Sequence, residues 1–144
     1  MLDNQHYAWA LLFAWFVLGL IFCMAGLHKV FVQGPAGHVR QWFLPYQDTF
    51  LPVWSLWVVG YSIPFVELIA GAVLLIGWHT RSALVALEVV LVTVTFGHLL
   101  KEPLYAFHEH VFPRLVLLLF VLIVPREADR FSLDYVLGNR GKAD

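Results

Sequence analysis

Three stretches of this chain, residues 9–32, 52–78 and 82–100, are apolar almost throughout. Each approaches the ~20 residues that a helix needs to cross about 30 Å of hydrocarbon. No soluble fold has use for several such runs in 144 residues, so the chain reads as an integral membrane protein. In lipid every backbone polar group must be satisfied internally, which leaves helices or a closed barrel. The runs lack the alternation of a barrel strand. Helices are therefore expected.

A fourth run is clean only from Leu115 to Val124. That is too short to cross, so the fourth helix is expected over about residues 110–125, carrying Pro113 and Arg114 into the membrane. A polar tail, residues 126–144, follows. The expected architecture is all-α: a polytopic membrane protein built as an antiparallel four-transmembrane-helix bundle, one domain over residues 1–144. Composition agrees, because only 13% of residues are charged against about 25% in soluble domains. A net charge of −1 leaves no basic patch for a phosphate backbone, so nucleic acid is not an expected partner. The lipid bilayer is. Cys23 is the only cysteine, which excludes an internal disulfide and any dithiol redox pair.

Residues 1–8 contain no lysine or arginine, and no small-residue cleavage site follows the first run, so that run is expected to be retained. An even number of crossings puts both termini on one side. Arg81, Arg126, Arg130, Arg140 and Lys142 fall there, against Lys29, Arg40, Lys101 and Arg114 toward the other, and this bias favours cytoplasmic termini. The connection over residues 33–51 has glycine and proline breaks around Trp42, Phe43 and Tyr46, which suit the headgroup level; a lid over a cavity is the alternative.

Charges inside the greasy runs mark the candidate site. Glu67 and Glu88 each lie within about 5 Å of the middle of their helices. A charge at that depth costs at least ~2.5–3.5 kcal/mol, so both must face the interior, take up protons or find cations. Arg81, Glu88 and Thr95 recur every seven residues, with Glu102 continuing the stripe and His98 on its flank; a seven-residue repeat drifts only about 20° per step. Gly71 shares a face with Glu67, and Gly19, Cys23 and Gly26 form a small-residue face on the first helix, the usual means of close helix contact in lipid. Lys29, near the outer end of its run, is expected to snorkel to the interface. Arg114 is the expected ion-pair partner of Glu67 or Glu88.

The chain has seven histidines. His98, His108 and His110 gather about the second outer loop, but an H-x-H pair alone falls short of the three or four ligands of a metal site. A haem or metal centre drawing on these with His28 and His38 is the lesser reading, and no metal or haem is expected. Phosphate-binding loops, nucleophile elbows and dinucleotide fingerprints do not occur.

Three segments carry a resemblance. G-L-H-K ends the first helix at Lys29; Glu67 to Arg81 reads E-x-x-x-G-x-x-L-x-x-G-x-x-T-R; and S-L-D, Ser132 to Asp134, follows the fourth run. In order and content they resemble the DoxX family. That resemblance implies a four-helix protein of the bacterial or archaeal inner membrane, with relatives serving thiosulfate:quinone oxidoreduction or membrane-bound oxidative-stress complexes. Lys29, Glu67 and Arg81 correspond to its motif polar residues, and Ser132 and Asp134 to its cytoplasmic closing motif.

The resulting expectation is a small membrane subunit or scaffold of a redox system, quinone-linked, with a buried polar cluster of Glu67, Glu88, Arg114, Lys29, Arg81, Thr95 and His98. If it takes part in catalysis, it does so as a non-autonomous subunit of an oxidoreductase, in a homo-oligomer or a complex with other membrane or redox proteins. An oligomeric proton or small-solute carrier using the buried carboxylates is the alternative, and a purely structural assembly partner is a third.

Overall fold

A computed structural model describes residues 4–101, 111–123, 131–134 and 136. Among them every regular element is helical. Helix α1, Asn4–Leu27, runs on through a π-helical turn at His28–Val32; a short helix α2, Pro35–His38, passes into a second π-helical turn, Val39–Phe43. Helices α3, Val53–Ile76, and α4, Thr80–Lys101, follow, and then α5, Phe112–Ile123. Three spans, Ala8–Val32, Val53–Ile76 and Thr80–Leu100, are long and apolar enough to cross a membrane, while α5 is shorter. The expected ends of the fourth helix, residues 110 and 124–125, lie outside the described residues, as does most of the expected tail.

The punctuation is local. Gly34, at φ 73°, breaks the chain after the first π turn, and Pro35 opens α2 where its missing N–H costs nothing. Gly77, at φ 72°, closes α3: its N–H donates to Leu74 O at 3.0 Å and the Trp78 N–H donates to Val73 O at 3.1 Å, the paired bonds of a Schellman cap. Leu18, Leu74, Leu87 and Leu118, one from each of α1, α3, α4 and α5, are fully buried in a common core.

The closest packing joins α1 to α3. A Cβ on Gly26 would stand 2.4 Å from the Leu68 N, one on Gly71 2.4 Å from the Cys23 N, and one on Gly19 3.0 Å from Leu75. Positions that ascend in α1 descend in α3, so these two helices are antiparallel, with the small-residue faces turned to each other. The segment after α1 also packs on α3. Val39 is fully buried, and the Phe43 ring lies where a Cβ on Gly60 would approach it to 2.7 Å. Phe43 is half-buried against α3, whereas Trp42 is 53% exposed.

Candidate functional site

The helix contact at Gly26 and Leu68 sets what lies one turn farther along. The Lys29 Nζ donates to Glu67 Oε2 at 2.5 Å, with the Glu67 side chain 3% exposed and that of Lys29 24%. Two expectations are corrected here. Lys29 does not snorkel away, and Glu67 pairs with Lys29 rather than Arg114. The physical reason is register: depth measured from the middle of each apolar run assumes aligned centres, but the glycine contact slides α1 along α3 until Lys29 stands beside the acid. Arg114 instead lays its guanidinium over the Phe22 ring, 5.6 Å from the centroid, a cation–π contact.

Glu88 does not join this pair. It lines an apolar cleft of about 340 Å³ between α4 and α5, with Leu91, Val92, Thr95, Phe96, Leu99, Val111 and Leu115. Thr95 shares the cleft, as the seven-residue spacing suggested. Among the described residues Glu88 has no hydrogen-bond or ion-pair partner, and so Arg114 is not its cation. Val92, Phe96 and Leu99 are exposed, so on a spanning helix the cleft opens toward acyl chains. Arg81 is exposed in the first turn of α4, and His98 is half-buried near its end. Glu102, His108 and His110 lie outside the described residues; among those described, no three metal-ligating side chains cluster.

Sequence reasoning named Asp134 only as a motif residue; the structure shows its contacts. The Asp134 Oδ1 accepts from the His79 N–H at 2.8 Å, and Oδ2 accepts from the Thr80 N–H at 2.9 Å and the Thr80 hydroxyl at 3.0 Å. A residue 54 positions away thereby serves the orphan N–H groups that a local cap would satisfy at the start of α4. The Asp134 N–H donates back to Gly77 O at 3.2 Å, and a Cβ on Gly77 would stand 3.1 Å from the Ser132 Cα. Burial pushes the Asp134 carboxyl up, but the bonds from Thr80 and His79 and the nearby His79 imidazole outweigh it and hold the group below its ordinary range. Because the folded value is depressed, this clamp contributes fully above about pH 4 and is lost as pH falls through the folded value. Asp134→Ala should cost about 1–2 kcal/mol, the range of a lost cap, read as a lower unfolding midpoint at pH 7 in detergent; the difference from wild type should vanish in acid.

His38 was singled out by sequence only as a remote metal ligand. It is 5% exposed, its ring stands edge-on to Phe43 at 5.5 Å, and neither ring nitrogen has a hydrogen-bond partner among the described residues.

The family model described as DoxX matches residues 10–99, more than half of the chain. Comparison with curated proteins and with solved structures gives no match. The matched region holds the Lys29–Glu67 pair, the glycine contact beneath it and the α3–α4 turn that Asp134 caps from outside it: the chain is a multi-pass membrane protein and belongs to the DoxX family.

Proposed function

We propose that the chain is a small subunit or scaffold of a quinone-linked redox system in a bacterial or archaeal inner membrane. In this reading α5 completes an antiparallel bundle of four crossings, forming one domain with cytoplasmic termini. The observation that carries it is Glu88: a carboxyl without a partner among the described residues, lining an apolar cleft that opens toward lipid. Small-molecule sites typically enclose about 300–1,000 Å³ of mostly apolar space with a few placed polar groups, and the cleft's 340 Å³ falls in that range. A quinone partitions into the bilayer and reaches such a cleft from the side. Its ring packs on Phe96, Leu99 and Leu115; the Thr95 hydroxyl donates to a quinone carbonyl, and the Glu88 carboxylate accepts from a quinol hydroxyl.

The electrons come from a partner, because a single cysteine supplies no dithiol couple; the subunit's own task is to hold the ring and, through the Glu88 carboxyl, to pass to the reduced ring oxygens the protons that reduction consumes. Lys29, Glu67 and Arg114 act at a distance by fixing α1 against α3 and α5.

Protein purified gently in native lipid, then extracted with organic solvent, should yield near-stoichiometric quinone. Glu88→Gln and Thr95→Val should each lower that yield or weaken added-quinone binding by about 10-fold, the equivalent of one hydrogen bond of ~1.4 kcal/mol. Quinone absent from wild-type protein, and not taken up when added, ends this reading.

A further inference from the structure

We propose that His38 is a proton-binding site whose occupancy releases the segment Pro35–Tyr46 from its seat on α3. Three observations converge on it. The imidazole is 5% exposed with both nitrogens unpartnered among the described residues, although a neutral ring carries one donor and one acceptor and an imidazolium two donors. The segment that buries it is bounded by a turn and seated by side-chain contacts. It begins after Gly34, which has φ 73° and nothing within 4 Å of a Cβ, and it meets α3 through Val39 and the Phe43 ring against Gly60. The charge that acts on the ring is positive: Lys29, in the π-helical turn after α1, itself bound to Glu67 of α3. Arg40, on the segment itself, is exposed.

An imidazolium in that seat would lack hydration and acceptors and would face an ammonium. Releasing the segment supplies water and removes the repulsion. Consistent with this, burial and then Lys29 lower the His38 pKa from 6.5 to about 4. A depressed histidine works in the opposite sense to an ion-paired one: the seated conformation is fully favoured above pH 6.5 and loses ground as pH falls toward 4. The ratio of released to seated segment should rise about 20-fold between pH 7 and pH 5.

The test uses the full chain in nanodiscs with Cys23→Ala, and spin labels at Trp42→Cys and Val58→Cys, both exposed positions. Distance distributions by pulsed electron resonance at several pH values report the seat directly. A longer-distance population should grow with a midpoint between pH 4 and 6.5, and His38→Phe should abolish that growth. Should His38→Phe fail to fold, His38→Gln, which keeps the polarity and cannot titrate, takes its place. An unchanging wild-type distribution down to pH 4, or growth that persists in the non-titrating variant, overturns the proposal. Glu88→Gln should leave the transition intact, which separates this device from the quinone cleft.

Discussion

Lys29→Met should cost the folded protein about 3 kcal/mol, whereas Glu67→Leu, which breaks the same ion pair, should cost only about 1 kcal/mol. The asymmetry follows from what each variant leaves behind. Without Lys29, the Glu67 side chain is 3% exposed and held against α1 by the glycine contact, so it has no route to water and bears the full cost of an unpaired acid at depth. Without Glu67, the ammonium is 24% exposed on a long stem and can turn toward the outer interface. The paired substitution Lys29→Met with Glu67→Leu removes both charges and should recover most of the loss, because replacing a buried ion pair with apolar groups is often neutral while breaking one is not. Unfolding of the purified variants in bicelles, taken as a double-mutant cycle, measures this. Equal losses for the two single variants would mean that Glu67 reaches solvent after all.

Much of this fold could be read from residue order. The long apolar runs set the spans, and the glycines at 19, 26 and 71 announced a close helix contact that the structure places between α1 and α3. The heptad spacing put Glu88 and Thr95 on one face, and both line the cleft. What eluded sequence is what depends on register between helices. Lys29 was separated from Glu67 by depths counted independently along each helix, and only the sliding of α1 on α3 brings them together. Asp134 could not be tied to the start of α4 by local pattern, because its partners, His79 and Thr80, lie far upstream. His38 gave no sign of burial, since a histidine among glycine and proline breaks reads as a loop residue. A better signal existed: Val39 and Phe43 four apart, with His38 beside them, form an apolar stripe that needs a small-residue partner, and Gly60 provides it.

Gly26→Ala should be as damaging as breaking the ion pair, although it adds a single methyl group and touches no charge. The new Cβ would lie 2.4 Å from the Leu68 N and 2.6 Å from its Cα; these are backbone atoms of a helix and cannot swing aside as a side chain can. The helices must part, at the upper end of the ~1–3 kcal/mol that overpacking costs, with loss of the close contact that substitutes for a hydrophobic drive in lipid. Gly71→Ala meets the Cys23 N at 2.4 Å and should behave alike, whereas Gly97→Ala, with nothing within 4 Å, should be neutral or slightly stabilising. The two sets of variants are linked. If the glycine contact is what delivers Lys29 to Glu67, then repeating the charge cycle in the Gly26→Ala background should find a coupling energy near zero. A coupling that survives the methyl group would show instead that the ion pair holds the helices in register and the glycines merely tolerate it, and the order of cause drawn from the packing would have to be reversed.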